Sequence, residues 1–150
     1  VHITTPYLIL DDTTLAALKF AAKRGVEVII IMPHIPDKLY AYLLARSYYA
    51  ELLRAGVQIY EYTPGFIHAK MFTSDDEKAV VGTINLDFRS LYLHFECGVF
   101  IYRNQVVRDI EKDFQDTLAK CQKVTMTEVK NRSTFVKIYG QVLRLVAPLM

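Results

Sequence analysis

The chain has no tryptophan, only two cysteines, five prolines and six glycines among 150 residues. Two cysteines, Cys97 and Cys121, cannot form a disulfide framework, and their spacing gives no zinc site. Cys97, in the apolar stretch FECGVFIY, is expected to be a buried small hydrophobe. A reducing, cytosol-facing setting follows as the simplest expectation. No apolar run approaches the roughly 18 residues of a membrane span, and no signal peptide is visible. The sequence opens on Val1 inside an apparent strand, so a piece of a longer protein is expected. A 52% apolar composition excludes disorder and suits one domain able to bury a core.

Net charge is also small, at +2, but it is unevenly spread. Residues 120–150 hold six Lys/Arg and one Asp/Glu, an excess of five positive charges. Residues 1–119 hold twelve and fifteen, an excess of three negative charges. A nucleic-acid-binding domain usually carries a basic face around its site. Here the excess lies in the tail, so no nucleic-acid partner is expected.

Periodicity supplies the architecture. ITTPYLI reads as a strand, DDTTLAALKFAAKRG as a helix stopped by Gly25, and VEVIIIM as a central strand buried on both faces. KLYAYLLARSYYAELLRAG reads as a second helix, with Leu39, Tyr42, Leu43, Tyr49, Ala50 and Leu53 as its apolar stripe. VQIYEY is a third strand, ECGVFIY a later one, and NQVVRDIEKDFQDTLAK a third helix. Strand–helix alternation argues parallel crossovers, with antiparallel pairs after residue 56. The expected fold is α/β, a three-layer α-β-α sandwich around one mixed, largely parallel sheet. The main domain is expected over 1–123. A basic amphipathic helical tail over 124–150, with Thr127 or Ser133 as caps, would pack on the domain or lie at a membrane interface. Gly140 costs that tail about 1 kcal/mol of helix stability, so it needs a partner surface.

The informative stretch is IHAKMFTSDDEKAVVGTIN. FIHAKMF has strand character, which would send His68 and Lys70 to one face and Ile67, Ala69 and Met71 to the other. SDDEK reads as a turn and KAVVGTI as the returning strand, ended or bent by Gly82, with Asn85 just beyond. A neutral imidazole is a nucleophile at working pH. Lysine is a compact cation for phosphate oxygens, and an asparagine amide donates to another. These types at this spacing point to phosphodiester chemistry. A lone His-x-Lys would more often be a stray pair on a half-exposed strand; Asp75 and Gly82-Thr83-x-Asn85 reverse that reading.

That stretch resembles the HKD motif of the phospholipase D superfamily. TTPYLILDDTTLAALKFAAKRGVEVIIIMP, RSYYAELLRAGVQIYEYTPGFIHAK, NLDFRSLYLHFE and VLRLVAPLM resemble the second, C-terminal HKD half of bacterial cardiolipin synthases. Thr83 stands where that family usually has Ser, His94 where it has Asn, and Leu10 near a usual Pro. The resemblance implies His68, Lys70, Asp75, Asn85 and Glu96 as catalytic, with Lys70, Thr83, Asn85 and Arg89 binding substrate. Glu96 would orient the far ring nitrogen of His68, and Asp75 would fix the hairpin more than transfer protons. Arg89 would reach a phosphate or pair with Asp87. His94 would share a strand face with Glu96, while His2 and His34 have no partner in sequence and are expected at the surface.

No cofactor is implied, and no metal, since Lys70 would repel a cation. The implied activity is half of a phosphatidyltransferase that joins two phosphatidylglycerols and releases glycerol through a phosphohistidine. The alternative is a phospholipase D-like phosphodiesterase or endonuclease, and a non-catalytic half is a third reading. Implied partners are phosphatidylglycerol and other anionic phospholipid, the membrane surface, and an N-terminal HKD half of the parent chain or a second copy as homodimer. The parent would sit at the cell membrane with its catalytic domain on the cytoplasmic side, this fragment alone being soluble.

Overall fold

A computed structural model describes residues 1–149. Seven strands form one sheet: β1 (His2–Thr4), β2 (Ile29–Pro33), β3 (Gln58–Tyr62), β4 (Met71–Ser74), β5 (Lys78–Gly82), β6 (Gly98–Tyr102) and β7 (Cys121–Lys123). Their order is β6-β5-β4-β1-β2-β3-β7. The mixed sheet is as expected, but its balance is not. Only β1–β2 and β2–β3 are parallel; the other four pairings are antiparallel. The excess of antiparallel pairs comes from the β4–β5–β6 meander, which needs only short connections. It also comes from β7, a three-residue strand too short to show in the sequence pattern, which pairs with β3.

Five helices cover the sheet: α1 (Asp12–Lys23), α2 (Leu39–Ala55), α3 (Gln105–Leu118), α4 (Met126–Asn131) and α5 (Thr134–Val146). Every residue of β2 is buried, as its unbroken apolar run requires. On one face Ile30 and Met32 meet Leu15 and Leu18 of α1 and Leu44, Tyr48 and Leu52 of α2. On the other, Ile29 and Ile31 meet Met71 and Phe114 of α3. Asp11 caps α1 by accepting from the Thr14 N–H at 3.0 Å. Gly56, at φ 100°, ends α2 in the left-handed region where a side chain would be strained.

The apolar face of α2 is displaced from the expected stripe. Its buried residues are Ala41, Leu44, Ala45, Tyr48, Tyr49, Leu52 and Ala55, while Leu39 is 65% exposed. Leu43, Ala50 and Leu53 are only half-buried. The helix has neighbours on two sides, sheet and tail, so no single stripe describes it. The tail packs through Gly140, whose missing side chain lets α5 approach Ser47 and the Leu43 carbonyl of α2. The cap of α4 is Thr125, in a reciprocal capping box with Glu128, not Thr127. Ser133 stands at the N-cap of α5 without a side-chain bond.

Two expectations about single residues fail. His2 is no free surface group: it stacks on Phe114 with ring centroids 4.7 Å apart and meets Glu111 at 2.7 Å. His34 is exposed as expected, although its ring lies 2.9 Å from the buried Glu61 carboxylate. Both partners come from elements far away in sequence. Cys97 is exposed, because β6 is an edge strand with little cover.

A side chain at Gly82 would place its Cβ 2.2 Å from the Cys97 carbonyl and 2.6 Å from the Gly98 Cα. Gly82→Ala is therefore expected to destabilise the fold by about 1–3 kcal/mol or more. Gly65→Ala, whose Cβ would meet nothing within 4 Å, should stay near wild type. Urea denaturation of the two variants checks this contrast.

Candidate active site

His68 and Lys70 lie just before β4, not within a strand as expected. Backbone pairing reaches one residue past the strand, with the Gly82 N–H donating to the Lys70 carbonyl at 3.3 Å. Alternation is kept only in part, since Met71 is buried but Ala69 is exposed. Ile67 packs into the α3-side cluster, while His68 is exposed and Lys70 half-buried. The Lys70 ammonium donates to the His68 carbonyl at 2.8 Å and lies 3.0 Å from each ring nitrogen. Cation and imidazole thus share one small volume. Burial, and then the Lys70 charge, hold the His68 pKa below its ordinary value. The ring is therefore neutral, and nucleophilic, over a wider range. Burial lowers the Lys70 pKa too, opposed first by the Glu96 carboxylate.

Asn85 reaches this region through a separate path. Leu8 bridges Leu86 in parallel, and the Ile9 N–H donates to the Leu86 carbonyl at 2.7 Å. The segment after β5 is thereby bound to the segment after β1. Thr4 pairs with Met71, so the end of β1 adjoins the start of β4. The Asn85 amide donates to the Ser90 hydroxyl at 3.1 Å, which fixes its side chain, and its buried Oδ1 has no partner among the described residues.

Glu96 does not bond to His68. Its carboxylate accepts from the Thr83 hydroxyl, and that bond, then one from Ser90, holds its pKa below the ordinary carboxylate range. Thr83 is itself fixed, since its oxygen accepts from the Cys97 N–H at 3.0 Å. The Thr83 hydroxyl is thus tied to Glu96. The Glu96 charge also reaches Lys70, whose pKa it raises. Glu96 precedes β6 instead of lying on it, because the π-helical turn Arg89–Leu93 takes up the intervening chain.

Arg89 donates to His94 at 3.2 Å, and His94 lies 4.0 Å from Glu96. Asp87 is not the partner of Arg89; it accepts from the Ser90 N–H at 2.7 Å. Asp75 is not brought to the cluster. It sits at the far end of β4, in a turn where it and Asp76 adopt φ near +55° and +53°. Aspartate tolerates that conformation better than most residues.

Three neighbours of His68 carried no motif. Tyr7 meets the imidazole edge-on at 6.5 Å, and Phe66 lies 5.4 Å away. Asp37 accepts from the Tyr7 hydroxyl at 2.5 Å, and Lys38 lies over the Tyr7 ring. Burial, then Asp37, raise the Tyr7 pKa, so the phenol keeps its proton. Tyr7 follows β1 and Asp37 follows β2. Position beyond the carboxyl ends of parallel strands is the signal that marks them, since open α/β sheets bind ligands there. Tyr7, Lys38, Asp87 and Arg89 line a narrow crevice beside the cluster. Among the described residues no group of three His, Cys, Asp or Glu side chains is placed to hold a metal.

The order of the seven strands and the helices packed on them define a domain of the phospholipase D fold. The fold is shared with phosphatidylserine synthase of Haemophilus influenzae Rd KW20 at TM-score 0.74 and 19% identity, over 99% of this chain and 39% of that one. More narrowly, residues 1–118 match the family described as cardiolipin synthase, PLD-like domain, and the chain belongs to that family. A cardiolipin synthase of Halalkalibacterium halodurans is 41% identical over the whole chain, which covers 30% of the relative. An uncharacterised protein of Streptococcus mutans serotype c is 55% identical, again over the whole chain and 32% of the relative. The chain thus spans about a third of the relatives it matches.

The His68 titration tests the electrostatics. Its midpoint, followed by NMR, should fall below that of an ordinary imidazole. Lys70→Met should raise it, without full return, because burial is the larger cause. An unchanged midpoint in that variant would contradict the short Lys70–His68 distance.

Proposed function

We propose that this chain supplies one half of the active site of a phosphatidyltransferase of the cardiolipin-synthase type. The observation that carries the reading is the contact of Lys70 with His68, in a chain 41% identical to a cardiolipin synthase. In the first step a ring nitrogen attacks phosphorus of one phosphatidylglycerol. The P–N bond forms and the P–O bond to glycerol breaks. The departing alkoxide takes a proton from an acid on a second half. In the second step that group, now a base, removes the proton from a hydroxyl of another phosphatidylglycerol. The new P–O bond forms, the P–N bond breaks, and cardiolipin leaves. Lys70 and the free N–H of Asn85 would bind the non-bridging oxygens, and Arg89 the substrate's outer edge. His68 serves as nucleophile or as the acid–base group, depending on which half attacks.

A second half is supported by the exposed apolar surface beside the site. Val99, Phe100 and Tyr102 of β6 are 60%, 65% and 50% exposed, and Phe95 is wholly exposed. Either an N-terminal half of the parent or a second copy of this chain would cover it. Phe66 and Tyr7 give the approach to His68 an aromatic lining suited to a lipid. The alternative, a phosphodiesterase acting on nucleic acid, would need a basic groove, and the acidic balance of residues 1–119 offers none. The membrane would be the site of action of the parent protein. Among the described residues no helix is long and apolar enough to cross it.

The test is His68→Ala in the full-length parent, assayed on phosphatidylglycerol and on DNA. Loss of lipid transfer by at least about 10²–10⁴ is expected, the usual worth of such a group, with no DNA cleavage by either protein. Unchanged lipid transfer would reject the assignment. The 150-residue chain assayed alone as a verified monomer should be nearly inert, since it lacks the second acid–base group.

A further inference from the structure

Three of the six tail cations, Lys130, Arg132 and Lys137, meet Arg46 and Arg54 of α2 at one place. Helices α4 and α5 lean on α2 and leave a cleft of about 280 Å³ between them. Its rim carries Arg46, Arg54, Lys130, Arg132 and Lys137, and no carboxylate lines it. Its floor is apolar, formed by Leu43, Ala50, Val129 and Val136. Leu43 and Ala50 come from α2 and pack on the margin of the core, Val129 of α4 is buried in it, and Val136 comes from α5.

The cations are incompletely satisfied. Among the described residues Arg132 Nη2 is buried without a hydrogen-bond partner, and Nη1 donates only to the Arg46 carbonyl at 3.3 Å. Arg46 Nε lies 3.5 Å from Oε1 of the buried Glu61, and neither atom makes a hydrogen bond among the described residues. Burial and the nearby Arg46 charge lower the Arg132 pKa, opposed by Tyr49 and by the Glu61 carboxylate. Buried donors left unpaired are costly, and native structures rarely keep them so. An anion among these groups would offset their repulsion and take up the free N–H groups. Guanidinium forks suit a phosphate in particular. The floor would be wasted on a free inorganic ion, because apolar surface gains only when something apolar covers it.

We propose that the cleft between α2, α4 and α5 binds an anionic phospholipid, its phosphate held by the Arg46–Arg132 pair and the rim cations, and the start of an acyl chain on the apolar floor. The site shares no residue with the cluster around His68, so it stands whether or not the reading of that cluster holds. Bound there, a lipid would tie the tail to α2 and hold this side of the domain against an anionic surface.

Short-chain soluble lipids titrated into the 150-residue chain decide the matter, with backbone amide shifts of residues 126–141 as the reading. Dihexanoyl phosphatidic acid below its micelle concentration should shift these amides. Inorganic phosphate and dihexanoyl phosphatidylcholine should each bind at least about tenfold more weakly, the worth of one charge-assisted contact or a short buried chain. Reversing the exposed Arg54 and Lys137 together, R54E with K137E, should weaken the anionic lipid by about tenfold or more, with an unchanged melting curve. His68→Ala should leave this binding as it is. Equal affinity for inorganic phosphate would reduce the cleft to an ion site and overturn the lipid assignment. Equal affinity for phosphatidylcholine would remove the role of charge. Unaltered binding by the double variant, or no shifts with any ligand, would overturn the site itself.

Discussion

The clasp between the end of β5 and the start of β6 sets the geometry of the cluster. Gly82 carries no side chain, so the Cys97–Gly98 backbone can close against it. The Thr83 N–H then donates to the Cys97 carbonyl at 2.9 Å, and its hydroxyl oxygen accepts from the Cys97 N–H. That same hydroxyl donates to Glu96. One close backbone approach thus fixes a carboxylate whose charge reaches Lys70, and that ammonium in turn leans on His68. The chain of contacts runs from a missing Cβ to the protonation state of an imidazole.

The arrangement also explains why the two sides of the domain differ in charge. Around His68, acids and bases alternate: Lys70 with Glu96, Lys38 with Asp37, Arg89 with His94 and Asp87 nearby. Such a mixed field can balance a single added anion without attracting a polyanion along its length. On the tail side five cations gather around one cleft, with the Glu61 carboxylate 3.5 Å from Arg46. The same protein therefore presents a tuned site on one side and a plain electrostatic surface on another.

Much of this was legible in the sequence because it rests on local pattern. The buried run of β2, the Gly25 stop and the alternation of strand and helix are all short-range signals. The HKD spacing also led to the family. What was not legible depends on packing between distant elements. The partners of His2 and His34 come from α3 and β3, 109 and 27 residues away. Glu96 was expected to bond His68, but the π-helical turn shifts it toward Thr83. Asp75 belongs to the motif in sequence yet sits a strand's length from the other members. Tyr7 and Asp37 carry no motif at all; only the direction of the parallel strands locates them.

The free side of β6 has a consequence for how the chain behaves as matter. Natural sheets guard an open edge with lysine, proline or a bulge. Gly98-Val99-Phe100-Ile101-Tyr102 has none of these, and three of its side chains are largely exposed. Its unpaired N–H and C=O groups offer a ladder to any strand that arrives. A protein with such an edge has no fixed stability of its own, because whatever caps the edge adds to it by mass action. Melting temperature should then depend on concentration, and the strand that first reaches β6 decides whether the outcome is a defined assembly or a precipitate.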